Sequence, residues 1–181
     1  MEKNSTFIIG LLAVALLVSA MGTLTVVTKT TGLAISLVNT TVSAVGDITL
    51  TTSSVNFGSV YIGIAENTSD GSPPPFVVLN DGSADIDVTA RSAAGLFSLA
   101  PATSAYYRVK CRAGSTACGA GSQTSYINMP IGGPLVATKI IGTLGFTNGA
   151  DDNNVDIEIT APYREPMGAV SADITFTATV T

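Results

Sequence analysis

Oxygen-bearing side chains recur at every second position of one stretch, at Asp152, Asn154, Asp156 and Glu158. A calcium ion takes roughly six to eight oxygens gathered by a turn, and this spacing is one way of supplying them. The stretch lacks, however, both the glycine at the sixth position and the bidentate glutamate at the twelfth that shape a calcium loop. Along a strand the same spacing marks one wet face, and that is how we read it, with no metal expected. Asp81, Asp85 and Asp87 form a second carboxylate set. Paired carboxylates hydrolyse glycosides, but charges on a β-hairpin edge serve more simply to block edge-to-edge aggregation. Lys139, a possible partner in a Lys-to-Asn isopeptide crosslink, points outward by strand alternation.

Histidine is absent, which removes the commonest acid-base group at neutral pH and the commonest metal ligand. No Gly-x-Ser-x-Gly nucleophile motif is present. The chain is therefore expected to be no enzyme and to hold no cofactor. Its two cysteines, Cys111 and Cys118, are too few for a structural zinc site within one chain. In an exported protein such close neighbours are expected to form one local disulfide. Asn39-Thr40-Thr41 and Asn67-Thr68-Ser69 are N-glycosylation sequons, making Asn39 and Asn67 candidate glycan sites. Asn4-Ser5-Thr6 also matches but lies in the export segment.

Export itself is read from residues 7–27, an almost uncharged apolar run that follows Lys3. As a secretory signal it has an apolar stretch over residues 7–17 and the small-residue site Val18-Ser19-Ala20, so residues 1–20 would be removed. As a retained anchor, residues 7–27 are about long enough to cross a bilayer at ~20 residues per span, and only then would the chain be membrane-bound. Charged residues make up 12% of the chain, about half the usual globular share of ~25%. The surface must then be covered mainly by Thr, Ser, Asn and Gly. Net charge is -5 with no basic run, so nucleic acid is excluded as a partner.

The elements that position these residues are strands. Leu33, Ile35 and Leu37 alternate with Ala34, Ser36 and Val38, and residues 48–51 and 55–60 continue the β pattern. Residues 66–75 form a turn-rich, proline-containing connector. Residues 76–79 and 86–90 read as a hairpin about Asn80-Asp81-Gly82, whose turn residues supply positive-φ positions. Tyr106 to Cys111 is another strand, and Gly142 and Gly145 mark a bulge or bend within a longer one. Val155, Ile157 and Ile159 alternate with polar residues. Ile174, Phe176, Ala178 and Val180 face inward at the close, with Asp173, Thr175, Thr177 and Thr179 outward. This pattern predicts an all-β antiparallel sandwich over residues 47–181, preceded by an extension over residues 21–46.

Two stretches carry a resemblance. The run Ile159-Thr160-Ala161-Pro162-Tyr163-Arg164-Glu165-Pro166-Met167-Gly168 through Asp173-Ile174-Thr175-Phe176-Thr177-Ala178 resembles the last hairpin of exported immunoglobulin-like sandwiches. Val55-Asn56-Phe57-Gly58-Ser59-Val60, with Leu79-Asn80-Asp81-Gly82 and Ile86-Asp87-Val88, is similar to a region of TasA and camelysin-like biofilm fibre proteins and of archaeal bundling pilins. The disulfide loop and the proline run depart from that pattern. The resemblance implies an immunoglobulin-like or jelly-roll-like sandwich that polymerises by donor-strand complementation, each subunit lending an N-terminal strand to the next. The partner would be the same chain, assembled head to tail at the cell surface or outside the cell. Leu33, Ile35 and Leu37 are the expected anchors of the donated strand. Two alternatives accompany this reading: the strand folds back into its own subunit, or the chain is a monomeric, membrane-anchored adhesion or carbohydrate-binding module.

Overall fold

A computed structural model describes residues 34–42, 48–100, 104–133, 135 and 137–181. The export segment, Leu33 and the boundary of the 21–46 extension at residue 46 lie outside the described residues. Among the described residues there is no α-helix. The strands are β1 (Ala34–Val42), β2 (Ile48–Leu50), β3 (Ser54–Val60), β4 (Ala65–Asn67), β5 (Phe76–Asn80), β6 (Ile86–Ser92), β7 (Tyr107–Ala113), β8 (Ile127–Asn128), β9 (Thr138–Leu144), β10 (Asp152–Thr160) and β11 (Ala169–Val180). They form a five-stranded sheet in the order β3-β1-β11-β6-β9 and a six-stranded sheet in which β2-β5-β10-β7-β8 run in order and β4 also pairs with β10. All pairings between these strands are antiparallel except β1 with β11.

Period-two alternation makes the layers. In β6, Ile86, Val88, Ala90 and Ser92 are buried while Asp87, Thr89 and Arg91 are not. β7 buries Tyr107, Val109 and Cys111 in the same way, and Val155, Ile157 and Ile159 of β10 are fully buried. Residues of both sheets share one core. Each large aliphatic or aromatic side chain withdrawn from water there contributes roughly 1.5–3 kcal/mol. Phe76 of one sheet and Phe176 of the other meet edge to face, ring centroids 5.7 Å apart, which ties the layers together.

Three sequence expectations are corrected. β5 and β6 are not a hairpin, because they belong to different sheets. Asn80 makes the crossing instead. It is buried, its amide donates to the carbonyls of Ala84, Leu144 and Gly145 at 2.9–3.1 Å, and its Oδ1 accepts from Gly82 N. The supposed hairpin between β10 and β11 likewise joins the two sheets. Val180 is 62% exposed rather than inward, because it stands at the end of β11 opposite Ile86, the first residue of β6. The bulge expected near Gly142 is present in β9, where the pairing with β6 slips on both sides of Val88: Gly142 and Thr143 together stand opposite Asp87, and Ile140 is left without a partner between Ile141 and Lys139.

Candidate functional site

The first candidate is the slot that β1 occupies. β1 is a central strand, parallel to β11 on one side and antiparallel to β3 on the other. Without it, β3 loses its only strand partner in that sheet and β11 presents an open edge. Residues paired across a ladder share a face. Val38 is level with Ala172 of β11 and Val55 of β3, Thr40 with Ile174, and Val42 with Phe176, all four neighbours buried. Ile35 is level with Ala169 and Ser59, and Leu37 with Ser171 and Asn56, all four exposed. The pairing with β3 slips between Ser36 and Leu37, beside Gly58, which adopts φ 62°. Of the expected anchors, Ile35 and Leu37 thus stand at positions matched to the outer face of the sheet in their own subunit.

The second candidate is the polar cluster on the outer face of the six-stranded sheet. Asp152, Asn154, Asp156 and Glu158 do share one strand, but each meets a different protein group. Asp152 accepts from Ser115 N at 3.2 Å, Asn154 donates to Ala113 O at 2.8 Å, and Glu158 pairs with Arg108. Asp156 accepts from Arg112 Nε, Thr68 Oγ1 and Ser69 Oγ, and Lys110 Nζ lies 3.7 Å away. Among the described residues no group of three or more His, Cys, Asp or Glu side chains could hold a metal ion. The wet-face reading fails at Asp156, which is fully buried. The cause is the segment between β4 and β5: Thr68 replaces a strand partner beside β10, its N donating to Ile157 O and its hydroxyl accepting from Ile157 N, both at 3.0 Å.

The same segment contains the second sequon. Asn67 ends β4, and its Oδ1 accepts from Ser69 N at 2.9 Å. Ser69 Oγ in turn lies 3.0 Å from the Tyr126 hydroxyl. The Tyr126 ring sits beneath Lys110 Nζ, 4.4 Å from its centroid, and beside Arg108 at 5.4 Å. Burial pushes the Tyr126 phenol above its ordinary range, and the carboxylates of Asp156 and Glu158 push in the same direction. Asn39 of the first sequon lies in β1, level with exposed Asp173 and Ser54. Cys111, on the buried face of β7, forms a disulfide with Cys118.

The carboxylates Asp81, Asp85 and Asp87 do not act as a pair. Asp87 is engaged by Lys139 and by Thr143 N, and the Lys139 hydrogen bond, with that from Thr143, holds its carboxyl below the usual range against the opposing effect of burial. Sequence reasoning missed two residues that organise the ends of the sandwich. One is Asn80, described above. The other is Glu165, buried, in no ion pair among the described residues, and accepting from Ser98 N, Ser98 Oγ and Leu99 N at 2.7–3.0 Å. Glu165 has no sequence signal, since its partners Ser98 and Leu99 are distant in the chain; of Asn80 the turn sequence shows the local role toward Gly82 and Ala84 but not the bonds to Leu144 and Gly145. No helix among the described residues is long and apolar enough to cross a membrane. The chain matches no protein-family model and no curated protein.

Proposed function

We propose that this protein is a non-enzymatic structural subunit of an extracellular filament, an immunoglobulin-like sandwich that polymerises by giving β1 to a neighbouring copy, with glycans at Asn39 and Asn67. The observation that carries the reading is the register of β1. Within its own sheet the strand sets its larger apolar residues, Ile35 and Leu37, level with exposed neighbours, and Thr40 level with buried Ile174. A one-residue change of register exchanges the two faces of a strand, so a second way of entering the slot can bring Leu33, Ile35 and Leu37 to the buried face. The parallel pairing with β11 is also slightly weaker per residue than an antiparallel one. A strand held in this way favours a slot where its apolar face is buried, and exchange between identical chains needs no new surface.

The test is electron microscopy of secreted protein with intact-mass determination of the same material. Filaments of chains beginning near Met21 are expected. Leu37→Asp should abolish them while changing the stability of the unassembled chain by no more than about 0.5 kcal/mol, since Leu37 is level with exposed Ser171 and Asn56. Filaments of Leu37→Asp equal to those of the wild type would overturn the reading. Unassembled chains that keep residues 7–27 and partition into membranes would replace it with the anchored module.

A further inference from the structure

The two ends of the sandwich differ in chemistry. At one end β3 finishes, β11 begins, and the segment between β10 and β11 turns. This end carries Tyr61, Ile62, Ile64, Leu99, Tyr163 and Met167, each between 47% and 83% exposed. They converge through contacts already in the fold: Ile62 bridges to Ala161, and Leu99 is tied by its N–H to Glu165. Isolated exposed apolar residues need no explanation, but six on three connections at one end of the sandwich form a patch, and such patches mark interaction surfaces. Beside Tyr163 stands Arg164, exposed and held at φ 71°, a conformation L side chains rarely adopt. Every other described basic side chain has a partner: Arg91 donates to Gly132 O, while Arg108, Lys110, Arg112 and Lys139 pair with carboxylates. Among the described residues Arg164 is the one without.

At the opposite end, where β5 leaves for β6 and β9 for β10, an open cavity of about 420 Å³ lies between these connections. Leu79 and Phe146, the latter 47% exposed, supply its apolar wall, and Asp81 and Asp151 its charge. We propose that successive subunits stack end to end, with the Tyr163–Arg164 tip of one entering the Leu79–Phe146 cavity of the next and Arg164 facing Asp81 and Asp151. Leu79 and Phe146 offer the apolar tip one matching wall of an otherwise polar cavity, and Arg164 is opposite in charge to Asp81 and Asp151. Being different patches on one chain, they make a heterologous contact that does not close on itself. Complementary charge fixes the order of approach and the rate more than the affinity, so the aromatic tip supplies the adhesion and the ion pairs the polarity of the stack.

This inference rests on the filament reading and adds to it a direction for the exchanged strand. β1 and β2 are joined by residues 43–47, a link that reaches about 20 Å when extended. A subunit is at least as long as β11, whose 12 residues span roughly 36 Å. β2 begins at the cavity end, since Ile48 pairs with Asn80. A donated β1 therefore enters the subunit whose tip occupies its own subunit's cavity, from that neighbour's tip end, and runs antiparallel to its β11, the reverse of its course at home.

Paired cysteines test the stack separately from the exchange. In the full secreted chain, Tyr163→Cys combined with Phe146→Cys should give a ladder of disulfide-linked multimers on non-reducing gels, and each single variant at most a dimer. Arg164→Asp should slow assembly roughly five- to tenfold, and Asp81→Arg in the same chain should restore it. Filaments in the wild type with no ladder in the double cysteine variant would overturn the stack and leave strand exchange standing. A ladder without filaments would uphold the stack and remove the exchange. Absence of both overturns both.

Discussion

Arg112 Nε lies 3.0 and 2.9 Å from the two carboxylate oxygens of Asp156, which is fully buried on what alternation alone marks as the outside of the sheet. Removing one member of a buried pair costs roughly 3–5 kcal/mol when the other charge is left alone. Here the loss is smaller. Arg112 itself reaches solvent, and after Arg112→Ala the Thr68 and Ser69 hydroxyls and the more distant Lys110 still serve Asp156. The expected loss is about 2 kcal/mol by urea unfolding at neutral pH. A change under about 0.5 kcal/mol would mean that the hydroxyls alone satisfy the carboxylate.

Gly142 and Gly119 are glycines because two backbones meet there. A Cβ on Gly142 would overlap the carbonyl oxygen of Ala120, and one on Gly119 the carbonyl oxygen of Gly142. Both obstacles are backbone and cannot rotate away. Gly142→Ala is expected to destabilise by about 1–3 kcal/mol, as overpacking does, and to free the segment after the disulfide from β9. Hydrogen exchange should show this as faster exchange at Gln123 N, which donates to Ile140 O in the native fold. Unchanged protection would place the two backbones farther apart.

Much of this architecture is legible in the sequence. β6, β7 and the body of β11 follow alternation, and their buried residues are those the period-two pattern selects, whereas β10 buries Asp156 and Glu158 along with its apolar residues. What alternation cannot supply is the sheet to which a strand belongs. β5 and β6 are adjacent in sequence and joined by turn residues, yet they pair with different neighbours, because both faces of one core must be filled from both sides. Nor does it supply cover. Asp156 has the parity of a solvent-facing residue and is buried by Thr68, 88 positions away. The register of β1 was equally hidden, since Leu33, Ile35 and Leu37 look like an inward face until the partners at Ala169 and Ser171 are known.

Asn80 offers a test of the crossing between sheets. Its amide N–H groups serve three carbonyls from two different connections. Asn80→Asp keeps the shape but places a buried carboxylate oxygen against those carbonyls, with no cation beside it. The cost of an unpaired buried polar group and of the lost donors adds to about 3 kcal/mol or more. Asn80→Ala, which removes the donors without adding charge, should cost about 1–3 kcal/mol. Equal losses for the two variants, measured by urea unfolding near pH 7, would show that water enters the arch and screens the carboxylate.

Glu165 makes the stability of the tip end depend on pH. Burial favours its neutral form, but the three hydrogen bonds donated by Ser98 and Leu99 outweigh burial and hold the folded carboxyl below its ordinary value of 4.5. A folded pKa below the unfolded one means that the unfolded chain binds the proton more readily. The stabilisation is therefore fully present above pH 4.5 and is lost as pH falls through the lower folded value. Glu165→Gln keeps one acceptor oxygen but turns an N–H toward a donor, and should cost about 2 kcal/mol at neutral pH. Because the variant cannot titrate there, the gap between it and the wild type should narrow steadily below pH 4.5. A gap that stays constant into acid would show that Glu165 binds Ser98 and Leu99 equally well in its protonated form.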